Sequence, residues 1–171
     1  TIWRWVRPIV GFDADGTAHV RIEQRVLPAG PSVRDMMANA ALYFGAVHVL
    51  ARMLDDAERA LPFALARENF YQAARQGLDA EIHWLGATGK RSVRDVLAEL
   101  LPLAAQGLAA QGVDEDLVDH YLNIISCRLD CGRTGAKWQL SHFSRYGNLN
   151  QLTAAYVENQ RIGRPVHEWP L

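Results

Sequence analysis

The chain has 171 residues, and its 18 Lys+Arg against 19 Asp+Glu leave no excess positive charge for binding nucleic acid or an anionic membrane. A content of 49% apolar and 22% charged residues excludes a disordered chain, and no apolar run approaches the roughly 18 residues of a membrane span. Two cysteines are too few to staple a secreted domain of this length, and the start does not resemble a secretory leader. We therefore expect one domain-sized, cytoplasmic unit.

Two β-prone segments, residues 2–10 and 18–27, open the sequence, and turn-forming residues separate them. This pattern predicts an antiparallel hairpin. Because an isolated hairpin is only marginally stable in water, we expect its strands to belong to a larger sheet and its apolar face to be packed. Since Thr1 already belongs to a strand-like segment, we also expect a C-terminal part of a longer polypeptide, or a processed piece.

The hydrophobic spacing changes to a helical period after residue 31. Ser32 and Asp35 have the spacing of a capping box at a helix start. The buried face of this first helix is predicted to consist of Val33, Met37, Ala40, Ala41, Phe44, Val47, Ala51 and Leu54. The later elements are predicted to be a helix over 62–74, a short strand or hairpin over 80–89, helices beginning at Ser92 and Asp114, two short helices after Gly132, and an extended tail over 165–171.

The expected fold class is therefore α+β. An antiparallel hairpin over residues 1–30 is followed by a mainly helical bundle of five or six helices over residues 31–171, and the two parts form a single unit.

The second predicted strand carries the residues most suited to chemistry. Alternate side chains on a strand share a face, so Arg21, Glu23 and Arg25 are expected on one side and the apolar residues on the other. A carboxylate is a suitable ligand for Mg²⁺, and guanidinium groups bind phosphate or carboxylate through paired hydrogen bonds. Arg4 and Arg7, on the neighbouring strand, extend the positive surface. This set suits the transfer of phosphate from ATP to a carboxylate.

Three sequence features also allow a purely structural interpretation. The Arg-Glu-Arg triplet fits a solvated strand face with cross-strand ion pairs. Cys127 and Cys131, four residues apart on a predicted helix, could supply half of a metal site, but buried structural thiols are favoured. Residues 132–135 fit an anion-binding helix start or a turn capped by Thr134, and the turn is favoured.

The hairpin and the start of the first helix resemble the C-terminal active-site strand of glutamine synthetase. Residues 21–25 read Arg-Ile-Glu-Gln-Arg, a Pro-Ala-Gly-Pro turn follows at 28–31, and the alanine-rich Met-Ala-Asn-Ala-Ala-Leu lies at 37–42. The sequence is more similar to bacterial glutamate–cysteine ligase-like carboxylate–amine ligases, which share the glutamine synthetase catalytic fold. Residues 1–8 resemble an arginine-bearing strand of that family.

Two later segments extend the resemblance. Residues 68–80 begin Glu-Asn and continue through Ala-Ala-Arg-x-Gly-Leu-Asp-Ala, similar to a later helix of the family. Residues 132–139, with Gly-x-Thr-Gly-Ala, are similar to a further segment more loosely.

The resemblance implies an ATP- and Mg²⁺-dependent ligase of glutathione biosynthesis. Such an enzyme activates the γ-carboxylate of glutamate as an acyl phosphate, which a small amine, first of all cysteine, then displaces. It implies that Glu23 ligates Mg²⁺ and that Arg25 is catalytic. Arg21, Arg4 and Arg7 would contact ATP or the substrate.

The resemblance also implies that the N-terminal half of the enzyme, with most metal-binding glutamates, is missing. One carboxylate cannot hold the metals, so we expect the chain to be inactive alone unless that half or another copy completes the site. The alternative is a non-catalytic helical interaction module built on the same scaffold. The two hypotheses differ in whether the Arg-Glu-Arg triplet faces a cleft or bulk water.

Overall fold

The computed structural model describes residues 6–27 and 29–171, which form two compact units divided between Gly30 and Pro31. The first unit holds a β-hairpin and the second holds the helices. The predicted α+β class, a hairpin followed by a mainly helical region, is confirmed. That both parts belong to one larger ligase domain stays a prediction.

The hairpin consists of strands β1 (Val6–Phe12) and β2 (Ala18–Gln24), which pair antiparallel. Arg7 lies directly opposite Glu23 in the register, so these two side chains share a face. Among the described residues no third strand joins the pair, and the larger sheet stays a prediction. The part of the predicted first strand before Val6 lies outside the described residues.

Short-range hydrogen bonds close the turn of this hairpin. The Asp13 N–H donates to the Thr17 carbonyl at 2.9 Å, and the Asp15 carboxylate accepts from the Thr17 N–H at 2.9 Å. Gly16 has a φ of 85°, a conformation that glycine adopts without steric cost. The turn therefore fixes the register that pairs Arg7 with Glu23.

The second unit contains seven α-helices and a small antiparallel hairpin among its described residues. The helices are α1 (Val33–Met53), α2 (Ala57–Ala60), α3 (Phe63–Gln76), α4 (Val93–Ala109), α5 (Glu115–Cys131), α6 (Gly135–Tyr146) and α7 (Leu149–Ile162), and the strands are β3 (Glu81–His83) and β4 (Lys90–Ser92). The one-turn helix α2 was not predicted. None of the described helices is both long enough and apolar enough to cross a membrane.

The prediction of an extended tail is wrong. Residues Val166–Glu168 form a 3₁₀ turn, with Pro165 just before it and Pro170 after it. The prolines flank this turn rather than interrupt it, so the missing proline N–H groups cost it no hydrogen bond.

The predicted capping box at the start of α1 is confirmed, and its acidic member does more than cap. The Ser32 hydroxyl accepts from the Asp35 N–H at 3.2 Å, and the Asp35 carboxylate accepts from the Ser32 N–H at 3.1 Å. The fully buried Asp35 carboxylate also accepts from the Arg128 guanidinium at 2.5 Å and from the Val166 N–H at 3.1 Å. One side chain thus joins α1, α5 and the C-terminal segment.

The predicted buried face of α1 is wrong. Phe44, placed in the core from the sequence, is 64% exposed, and Val33, Met37 and Val47 are exposed as well. The face that packs lies on the other side of the helix and is made largely of small residues: Ala38, Gly45, Ala46 and Val49. Small side chains let the backbones of neighbouring helices approach closely. The close packing gained on this side favours its burial over that of the side with the larger side chains.

Helices α1 and α4 touch through two glycines. A Cβ built on Gly45 would lie 2.7 Å from the carbonyl carbon of Ala104, and one built on Gly107 would lie 2.8 Å from the carbonyl carbon of Gly45. The buried cluster around this crossing consists of Ala46, Ala104, Leu108, Val118 and Leu122. The core of the helical unit therefore lies between α1, α4 and α5.

A second core holds the C-terminal segment. Trp138 of α6 and Trp169 are both 1% exposed and pack edge to face, with ring centroids 5.2 Å apart. Val166 is fully buried beside them, and the Trp138 indole N–H donates to the Pro170 carbonyl at 2.8 Å. The tail is therefore an integral part of the helical unit.

Gly45→Ala is expected to lower the stability of the helical unit although alanine is the better helix former. The added methyl meets backbone atoms of α4 that cannot rotate away, and overpacking of this kind costs about 1–3 kcal/mol. Thermal unfolding followed by circular dichroism measures the effect. Gly89→Ala, where an added Cβ meets nothing within 4 Å, is the control. An unchanged melting temperature for Gly45→Ala would refute the close crossing.

Asp35→Asn is expected to destabilise the helical unit by about 3–5 kcal/mol, because it leaves the Arg128 guanidinium, 12% exposed, without its counter-charge. Urea unfolding monitored by tryptophan fluorescence measures the loss, and Asp55→Asn on the exposed surface is the matched control. Equal unfolding midpoints for the two variants would contradict the proposed importance of this ion pair.

Candidate functional site

The predicted arginine–glutamate cluster forms on one face of the hairpin. Glu23 Oε2 lies 3.3 Å from Arg7 Nε across the strand pair and 3.1 Å from Arg25 Nε. The three side chains are only 34–42% exposed, and Oε2 itself is shielded from solvent. The carboxylate thus holds two like-charged guanidinium groups close together, which their mutual repulsion would otherwise oppose.

Of the two remaining predicted arginines, the structure describes Arg21. Arg21 lies opposite Ile9, two residues before Glu23 and therefore on the same face, but its side chain is exposed. Arg4 lies outside the described residues. His19, which the sequence did not single out, continues this face towards the turn, with its Nδ1 3.2 Å from the Asp13 carboxylate.

The opposite face of the hairpin is apolar, as expected, but it is not packed. Val10, Phe12, Val20 and Ile22 are between 61% and 70% exposed. The expectation that this face is buried is therefore wrong for the described residues. An exposed apolar surface of this kind is typical of a face that contacts another polypeptide segment.

The described residues do not by themselves fit a magnesium site. Within ranges 6–27 and 29–171 there is no group of three or more His, Cys, Asp or Glu side chains arranged to hold a metal. Glu23 Oε2 forms ion pairs with Arg7 and Arg25 but accepts no hydrogen bond from the described residues, and Mg²⁺ requires six oxygen ligands in octahedral geometry. A metal role for Glu23 stays a prediction that requires further oxygen ligands.

The family-like helix α3 uses its polar residues to hold the small hairpin. The Asn69 side chain donates to the His83 carbonyl at 2.7 Å and accepts from the His83 N–H at 2.8 Å. Glu68 pairs with Lys90 at 2.7 Å, and the hydrogen bond from this ammonium lowers the pKa of Glu68. These contacts give Asn69 and Glu68 a structural role in joining α3 to β3 and β4.

The two cysteines are free thiols. Both were predicted to be buried, and neither is. Cys127 is half-buried and Cys131, at the end of α5, is exposed. The preference for buried structural thiols is therefore wrong for Cys131. The alternative of a metal site finds no third ligand among the described residues.

The turn interpretation of residues 132–135 agrees with the structure. The Thr134 hydroxyl accepts from the Lys137 N–H at 3.2 Å and thereby caps α6. Gly132 ends α5 in the left-handed conformation, with a φ of 65°. A helix-to-helix turn accounts for both residue types.

Comparison with known proteins agrees with the family that the sequence resembles. The profile of glutamate-cysteine ligase family 2 matches residues 4–160. Two relatives named "Putative glutamate--cysteine ligase 2-1" are similar to the chain, at 34% identity in Frankia casuarinae and 31% in Frankia alni. A third, "Putative glutamate--cysteine ligase 2" of Trichormus variabilis, is 26% identical over 80% of the chain and 35% of its own length. No solved structure matches the chain.

The two Frankia alignments cover 96% of this chain but 41% of each relative, so the chain spans less than half the length of the curated relatives it matches. The family profile nevertheless extends from the hairpin through most of α7. The chain belongs to glutamate-cysteine ligase family 2.

Proposed function

We propose that the hairpin supplies one wall of the active site of an ATP-dependent carboxylate–amine ligase. The observation that carries this proposal is the Arg7–Glu23–Arg25 cluster, held on one face of the hairpin in a chain of this ligase family. Glutamate is the proposed carboxylate substrate and cysteine the preferred amine. The product would be a γ-glutamyl amide, made in the cytoplasm on the route to glutathione.

The proposed reaction has two steps. The γ-phosphoryl group of ATP is transferred to the γ-carboxylate oxygen of glutamate, and ADP leaves with the electron pair of the broken P–O bond. The amine then attacks the acyl carbon and loses a proton, and phosphate leaves. Negative charge builds on the phosphoryl oxygens during the first step and on the acyl oxygen during the second, and guanidinium groups stabilise both.

Each residue of the cluster has a proposed role. Arg25 and Arg21 would bind the transferred phosphate or the substrate carboxylate, since planar guanidinium groups pair with oxyanions through two hydrogen bonds. Arg7, and Arg4 beyond the described residues, would be further contacts. Glu23 would keep the guanidinium of Arg25 beside that of Arg7. It would ligate Mg²⁺ only together with carboxylates from the rest of the enzyme.

The proposal concerns the whole ligase rather than this chain alone. The alignments leave more than half of each Frankia relative unmatched, and the hairpin exposes an apolar face for which a longer polypeptide could supply contacts. We therefore expect activity only from a polypeptide extended upstream to the full length of the relatives.

In that extended protein, Glu23→Ala is expected to abolish glutamate-dependent release of phosphate from ATP. Removing the carboxylate leaves two guanidinium groups repelling each other, and loss of one preorganised electrostatic contact typically costs about 10²–10³-fold in turnover. The fold should remain nearly intact, because the pairs are partly exposed and such pairs contribute about 1 kcal/mol or less. Phosphate release is measured with glutamate and a panel of amines including cysteine.

Glu158→Ala, an exposed carboxylate on α7, is the matched control and should retain full activity. Retained activity in Glu23→Ala would remove Glu23 from the site. Absence of any glutamate-dependent turnover in the unsubstituted extended protein, across the whole amine panel, would overturn the ligase assignment.

A second candidate function is a non-catalytic interaction module. It is favoured by the exposure of the Arg21 side chain and by the apolar residues on the open faces of the hairpin and of α1. If the protein is such a module, the same assay shows no turnover. Glu23→Ala then leaves the binding of a partner to the apolar face unchanged. The ligase proposal gives the paired guanidinium groups a role in binding oxyanions, whereas in the module they would serve only as ion pairs that stabilise the hairpin.

A further inference from the structure

A cleft of about 500 Å³ lies within the helical unit. The end of α3 and its following 3₁₀ turn, Gly77–Asp79, form one wall, and the end of α5 with the start of α6 forms another. Residues 68–80 and 132–139, the two later segments that resemble the ligase family, both contribute to it. Segments more than fifty residues apart in sequence thus meet at one concave surface.

The lining of this cleft carries an excess of positive charge. Arg75, Arg94 and Lys137 line it, and Asp79 is the one carboxylate among the described lining residues. Arg94 is already engaged, at 3.3 Å from Asp79 and at 2.6 Å from the Leu129 carbonyl. The neutralised pair of Arg94 and Asp79 leaves the other two cations to set the sign of the potential.

The side chains of Arg75 and Lys137 make no ion pair or hydrogen bond with any part of the chain that the structure describes. Arg75 comes from the last turn of α3 and Lys137 from the first turn of α6. Two uncompensated cations in one concave surface attract an anion more strongly than the same charges on an open convex surface.

Apolar side chains complete the lining. Leu78, Ala136 and Leu140 contribute to the same cleft as the two cations. Its volume lies within the range of about 300–1,000 Å³ that is usual for small-molecule sites, and it is far larger than a single inorganic ion needs. The combination fits an organic molecule with a charged end and an apolar body.

We propose that this cleft is a second binding site, specific for a small organic oxyanion, that is, a molecule with a carboxylate or phosphate group held by Arg75 and Lys137. The guanidinium of Arg75 would supply paired hydrogen bonds and the ammonium of Lys137 a point charge. All residues that line this site belong to the helical unit, and the inference does not depend on the ligase proposal.

Cys131 provides a local reporter, because its exposed thiol lines the cleft. The chain has two cysteines, so Cys127→Ser leaves Cys131 as the single thiol. The rate of its alkylation by iodoacetamide, a neutral reagent, is measured in chloride, phosphate and glutamate at equal ionic strength. Binding in the cleft should slow alkylation about threefold at saturating probe, since a bound molecule covers the thiol.

Arg75→Gln and Lys137→Gln, made in the Cys127→Ser background, should each remove the protection. Arg161→Gln, which makes the same change of charge on α7 outside the cleft, should keep it. The phosphate and glutamate arms separate the two oxyanion classes, and protection by either one supports the site. Both substitutions are at exposed positions, so the fold should tolerate them.

Equal alkylation rates in chloride, phosphate and glutamate would overturn the proposal, as would protection that persists in Arg75→Gln and Lys137→Gln. The melting temperature of the unsubstituted chain is a second measure of binding, and it does not depend on the thiol. It should rise with phosphate or glutamate relative to chloride, and this rise should be lost in Arg75→Gln.

Discussion

The buried carboxylate of Asp35 is the contact on which the helical unit most depends. It accepts hydrogen bonds from Ser32, Arg128 and Val166, and Arg128 in turn donates to Asn39 at 2.7 Å. A charge with no exposure to water is stable only when it is paired and fully hydrogen bonded. Asp35 of α1, Arg128 of α5 and Val166 of the C-terminal segment must therefore lie close together. This contact fixes the relative positions of the three elements.

Local signals predicted the first hairpin and the longer helices, but not the one-turn helix α2 or the 3₁₀ turn at Val166–Glu168. How these elements pack depends on long-range contacts. The spacing of Ser32 and Asp35 was sufficient to predict the start of α1, because a capping box is a contact within four residues. The buried face of the same helix was predicted wrongly. Nothing local reveals that Gly45 would meet the backbone around Ala104, and that crossing selects the small-residue face over the one carrying Phe44.

The candidate sites, too, were predicted from the sequence only in part. Strand alternation placed Glu23 and Arg25 together, and the expectation of a neighbouring strand made Arg7 a candidate for the same surface. The cleft of the helical unit could not be predicted, because Arg75 and Lys137 belong to different helices, and only the tertiary fold brings them to one surface. Sequence patterns show chemistry within one element, whereas sites assembled from several elements need the structure.

The hydrogen bond from Val166 to Asp35 has a consequence for how the protein is made. These residues are separated by 131 positions, and a ribosome releases the chain from its N-terminal end. While residues 166–169 are still in the exit tunnel, the carboxylate of Asp35 lacks one of its donors and Trp138 lacks the ring of Trp169. The helical unit therefore completes its core only after residues 166–169 have left the ribosome, and until then the buried carboxylate of Asp35 lacks one of its hydrogen bonds.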